Sequence, residues 1–178
     1  MDNGMRLIVL TRIVLISFLF SSPAWASTVT AEFVGMDYFA EVHGYLDGDY
    51  FLNAYAGEMI LDVDGVEHGA WCVDLDHILQ YGPYEAELVT SPVDDVSCQL
   101  AYLSDTYYPV ADDLSSAAFQ VAQWKVMSQP AWLTVTEADI EAEAEALVAE
   151  AAGKCPLTCQ DAAEVTVVAE AYNGPTPW

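Results

Sequence analysis

Apolar and polar residues alternate with a period of two through much of the first half of the chain and gather into longer apolar runs in the second. Such a change marks strands giving way to helices, because side chains alternate across a strand but return to one helix face every three or four residues. Thr28 to Val34 and Tyr38 to Val42 alternate well enough to predict strands, with turn signals at Gly44 and at Asp47-Gly48-Asp49. Glu58 to Gly65 runs into His68 to Leu75, and the Asp64-Gly65 pair between them predicts a hairpin. On its second strand, alternation puts Cys72, Asp74 and Asp76 on one face and Trp71, Val73, Leu75 and His77 on the other.

The second half changes period. Val96 to Leu103 predicts a short helix ending before Tyr107-Tyr108-Pro109, and Asp112 or Asp113 caps a stronger one from Leu114 to Met127, stopped by Pro130. Thr136-Glu137-Ala138-Asp139 opens a third, whose Ala, Glu and Leu content persists to Ala152, and Glu164 to Tyr172 returns to a strand. The expected class is α+β: a β-rich sandwich or barrel-like domain with helices inserted between its strands.

The central helix is apolar nearly all round, which predicts burial on most sides. Gln120, Gln123 and Lys125 are its polar residues among Ala117, Ala118, Phe119, Val121, Ala122, Trp124, Val126 and Met127. A buried primary amide without partners costs about 1 to 3 kcal/mol, so each glutamine needs hydrogen bonds or a chemical reason to be there.

The N-terminus sets the compartment. Arg6 and Arg12 flank apolar runs from Leu7 to Leu10 and from Ile13 to Phe20, and Ala24-Trp25-Ala26 gives a small-x-small cleavage site. Residues 1–26 read as a secretory signal peptide, with Met5 as an alternative start, and residues 27–178 as one domain of ordinary size. No later stretch is apolar enough to span a bilayer, so a secreted, extracellular or periplasmic protein without a transmembrane anchor is expected. The formal net charge is −24, with Lys125 and Lys154 the only cations after Ala26. Nucleic acid and anionic membrane are therefore poor partners. No metal or cofactor is expected: Asp47-Gly48-Asp49 and Asp62-Val63-Asp64-Gly65 fall short of a calcium loop, and Cys72, His68 and His77 lack regular zinc spacing.

Two segments carry the chemistry, Trp71-Cys72-Val73-Asp74 and Gln120-Val121-Ala122-Gln123-Trp124. In this order along the chain they resemble the Cys-Gln internal thioester domains of bacterial surface and secreted proteins. Leu100-Ala101-Tyr102-Leu103 with Tyr107-Tyr108-Pro109 is similar to the helix and loop before that family's Gln helix. The family's Gln-x-Ala-Ile-Trp motif is matched by Gln120, Ala122 and Trp124, with Gln123 in place of the aliphatic residue. The resemblance implies a thioester between Cys72 and Gln120, with Gln123 the alternative acyl donor one helical turn away and Trp71, Asp74, Ala122 and Trp124 as supporting motif residues. It further implies a single-turnover attachment module, not an enzyme, that captures an amine- or hydroxyl-bearing surface molecule.

Two other classes compete with this one. In an exported chain Cys72, Cys98, Cys155 and Cys159 can form disulfides, giving an inert, disulfide-stabilised β-rich binding module. Cys155 and Cys159 are close enough for a local loop, and either can pair with Cys98 instead. A thiol-dependent hydrolase built on Cys72 with His43, His68 or His77 is the third reading.

Overall fold

A computed structural model of the chain describes residues 7–11, 27–46, 48–72, 82–90, 95–128, 133–154 and 165–169. Its elements are β1 (Leu7–Thr11), β2 (Ser27–Leu46), β3 (Asp49–Val63), β4 (Val66–Cys72), β5 (Pro83–Thr90), α1 (Asp95–Tyr107), α2 (Asp113–Ser128), β6 (Leu133–Val135), α3 (Ala138–Lys154) and β7 (Val165–Ala169). The fold is mixed α+β, a curled antiparallel sheet with three helices.

The order across the sheet is β3-β4-β1-β7-β5-β2-β6, and β2 also pairs with β3, so the sheet curls until its two ends meet. The long hairpin β2–β3 turns at Gly48, whose φ of 85° is easy for glycine, with Leu46 opposite Asp49. The turn expected at Gly44 does not form. Gly44 stays inside β2, at a register shift between Val42 and Gly44, and pairs with Phe51 on one side and Val135 on the other. A glycine inside a strand marks a bulge as readily as a turn, and here the bulge wins. The β3–β4 hairpin does turn at Asp64 and Gly65, with φ of 52° and 87° and Val63 paired to Val66. Asp62 Oδ1 accepts from the Gly65 N–H at 2.7 Å and Asp64 Oδ1 from the Thr30 N–H at 2.8 Å, so both carboxylates serve the turn.

Val29, Ala31, Met59, Leu61, Val63, Ala70 and Ala86 form a core inside the curl, with Phe33, Met36, Cys72 and Tyr84 packed against it. A second core lies between the helices and the far end of β2–β3, built on Val42, Ala56, Trp71, Leu103, Phe119, Val121 and Leu133. The strand alternation read from the sequence holds where β4 is described: Trp71 joins the helix-side core and Cys72 packs against the inner one.

Helix α2 lies close to its expected bounds, with Asp112 Oδ1 accepting from the Ser115 N–H at 2.8 Å as the cap. It is buried nearly all round: Ala117, Ala118, Val121 and Ala122 are each 0% exposed. Helix α1 runs to Tyr107, beyond the expected end at Leu103, because the hydroxyls of Tyr102 and Tyr107 both donate to Glu150 of α3, each at 2.6 Å. A contact across 43 residues of sequence is invisible to local periodicity. β1 falls within the segment read as a leader; in the whole chain it lies between β4 and β7, with Val9 opposite Cys72 and Leu7 opposite Ala169. No helix among the described residues is long and apolar enough to cross a membrane, which says nothing of strands.

Candidate functional site

The ladder between β3 and β4 runs from Val63↔Val66 to Met59↔Ala70 and ends there. At Gly57, two residues before Met59, β3 swings close to β2: its φ is 155°, and a Cβ there would lie 2.2 Å from the Tyr38 carbonyl oxygen. Trp71 and Cys72 therefore run on without β3 beside them, and α2 supplies what a strand otherwise would.

The Gln120 carboxamide takes both main-chain polar groups of Cys72. The Cys72 N–H donates to Gln120 Oε1 at 3.0 Å, and Gln120 Nε2 donates to the Cys72 carbonyl oxygen. Trp124, one turn further along the same face of α2, donates its Nε1–H to that carbonyl at 2.6 Å. The sequence reads Trp124 as a core residue; it is buried, and it also clamps the strand end. One turn the other way, Ser116 Oγ accepts from the Glu58 N–H at 2.9 Å, so three successive positions on α2 fasten the sheet. Gln120 is 1% exposed, and Cys72 is not part of a disulfide.

The structure thus brings together Cys72, Gln120, Trp71 and Trp124 out of two segments 48 or more residues apart. Ala122 is fully buried in α2 but makes no polar contact, as its methyl dictates. Asp74, Cys155, Cys159 and His77 lie outside the described residues. Cys98 is disulfide-bonded, and its partner also lies outside them. Gln123 is 0% exposed, and neither its Oε1 nor its Nε2 has a hydrogen-bond partner.

Around this contact stand Trp71, which the sequence singled out, and Tyr84, which it did not. Trp71 packs edge-on against Phe119 and Tyr108, with ring centroids 4.9 and 5.2 Å away, and its indole N–H is buried without an acceptor. Tyr84 on β5 packs against the same inner core as Cys72, and its hydroxyl is likewise buried and unpartnered. Burial, and then the charge of a Cys72 thiolate, push the Tyr84 phenol above its ordinary range, so it stays protonated at neutral pH. No local signal marks Tyr84, since only the curling of the sheet turns β5 toward the same interior as β4.

The described histidines stand apart. His43 Nδ1 lies 3.0 Å from Glu137 Oε1, holding β2 to the start of α3. His68 is four residues before Cys72 on one extended strand, or about 13 Å along it. Among the described residues no group of His, Cys, Asp and Glu is arranged to hold a metal ion.

The chemistry open to this arrangement follows from the polarised amide. A main-chain N–H on Oε1 draws electrons from the carbonyl carbon and stabilises the oxyanion that forms when a nucleophile adds to it. The residue that makes that bond, Cys72, also carries a thiol. Compared with protein families, curated proteins and solved structures, the chain gives no match to any.

Proposed function

We propose that this chain is an exported covalent-attachment domain whose Cys72 and Gln120 condense into an internal thioester. The observation that carries the reading is the reciprocal hydrogen bonding of the buried Gln120 carboxamide to the main chain of Cys72, a cysteine outside any disulfide. Cys72 Sγ adds to the Gln120 carbonyl carbon while the Cys72 N–H steadies the oxyanion. The C–N bond then breaks and Nε2 departs with the thiol proton as ammonia. Burial of Gln120 would keep bulk water from the acyl group, and the two hydrogen bonds hold the carboxamide against the Cys72 main chain. A nucleophile on another surface later opens the thioester, leaving a stable bond to Gln120 and a thiol on Cys72. The chemistry is used once per molecule, as an adhesin-like capture requires.

Intact mass of the purified, cysteine-blocked protein tests this. The mass is expected to fall short by one ammonia and to gain one methylamine on treatment. Cys72→Ala and Gln120→Ala are each expected to abolish both effects. A wild-type mass accounted for by disulfides alone, with no methylamine adduct, rejects the proposal.

A further inference from the structure

Buried polar groups without partners are uncommon in folded proteins, and where they gather they call for an explanation. Among the described residues the orphaned atoms are Trp71 Nε1, Tyr84 Oη, Ser104 Oγ and both amide atoms of Gln123. Trp71 adjoins Cys72 in the chain, Tyr84 shares its inner core, and Gln123 is one turn from Gln120. Ser104 lies on α1.

Gln123 is the most telling of these. Ser116, Gln120 and Trp124 on the sheet side of α2 all use their polar atoms on β3 or β4. Gln123 sits beside that row, fully buried, and uses neither of its own. Helical spacing of i and i+3 puts its Cβ about 5 to 6 Å from that of Gln120, so the two side chains leave adjoining points of the helix. It also follows Phe119 by one turn, and the Trp71 ring packs on Phe119 with centroids 4.9 Å apart. Trp71, with an unsatisfied donor, thus packs on Phe119, and Gln123, with an unsatisfied donor and acceptor, stands one turn from Phe119 on the helix that carries Gln120.

We infer that Gln123 is a positioning residue that receives the incoming nucleophile, and that the nucleophile it serves is a primary amine. The inference rests on the thioester reading. A neutral amide accepts and donates hydrogen bonds but does not take up a proton. It can orient an amine, whose lone pair is already available, by accepting one N–H at Oε1. It cannot activate a hydroxyl, which must lose its proton as it attacks. The amine nitrogen bonds to the Gln120 carbonyl carbon and the C–S bond breaks. Sulfur leaves with the electron pair and takes the proton that the nitrogen sheds. The products are a secondary amide on Gln120 and a thiol on Cys72.

The experiment follows the ammonia deficit and the methylamine capture rate in wild type and in Gln123→Met, which matches the side chain in size without its amide. Glycerol serves as the hydroxyl probe. Gln123→Met is expected to keep the ammonia deficit and its slow hydrolysis but to capture methylamine about tenfold more slowly, the effect of one lost orienting hydrogen bond. Wild type is expected to take methylamine and leave glycerol. Unchanged methylamine capture in Gln123→Met, or equal capture of glycerol by wild type, overturns the inference while the ammonia deficit still upholds the thioester. No deficit in wild type overturns both. Should Gln123→Met lose its cooperative melt, Gln123→Asn keeps an amide one methylene short. It is expected to capture methylamine more slowly than wild type, and an unchanged rate overturns the inference.

Discussion

Glu58 is 6% exposed in a core otherwise lined by tryptophan, tyrosine and alanine, and its carboxyl lies over Gly69 beside the Tyr108 hydroxyl. Burial pushes its pKa above the usual carboxylate range, nearby Asp37 adds to the rise, and the Tyr108 hydrogen bond opposes both. A carboxyl whose folded pKa is raised holds its proton more tightly in the folded state. Its contribution to stability is therefore full below the unfolded carboxylate pKa and is lost as pH rises through the elevated value. Glu58→Gln keeps the shape and removes the charge. Its thermal midpoint is expected to exceed that of wild type at pH 7 and to match it near pH 4, as melts across that range would read out. At this scale the chain discloses the candidate pair and little around it. Cys72 and Gln120 stand out because a primary amide in an apolar helix needs a reason, and the amide bonds to the main chain of that cysteine. Tyr84, Ser116 and Glu58 give no such sign, since each gains its meaning from a contact that only the folded sheet creates.

Helix α2 is anchored on both sides. Toward the sheet it uses Ser116, Gln120 and Trp124; toward α3 it uses Lys125, whose side chain is 1% exposed. The Lys125 ammonium donates to Glu141 Oε1 at 2.8 Å, Glu145 Oε1 at 2.6 Å and the Leu133 carbonyl at 3.0 Å, so all three of its protons are used. Glu141 Oε2 in turn accepts from the Val135 N–H at 3.1 Å, tying in β6. Removing one partner from such a buried ion pair leaves the other charge uncompensated. Glu145 is half exposed, which softens the penalty. Lys125→Met is expected to destabilise by about 2 to 4 kcal/mol in urea unfolding, and the triple change with Glu141→Gln and Glu145→Gln is expected to recover most of it. Elements were the most legible level in the sequence where they were long and local: α2, α3 and the Asp64-Gly65 hairpin. β6 alternates over only three residues and β5 over Tyr84 to Leu88, too short a run to announce either without the edge that β2 offers each.

The closed arrangement of the sheet depends on β1, which alone joins β4 to β7. A chain cut after Ala26 lacks that strand. Residues 27–178 by themselves are expected to melt at a lower temperature than the whole chain and to show faster amide exchange along β4 and β7, by hydrogen exchange and mass spectrometry. Equal protection would mean that β4 and β7 pair directly once β1 is gone. The α+β, β-rich class was legible from the change of period, while the strand order was not, because it is set by pairings that join residues as distant as Leu7 and Ala169. That last pairing also orders events in time. Cys72, Gln120 and the three described helices all leave the ribosome before β7, the strand that joins β5 to β1. The helical layer can gather around Trp124 and Gln120 while the chain is still growing, but the sheet cannot close until β7 has emerged. The clasp that holds Cys72 is therefore made of early parts, and the enclosure behind it is finished last.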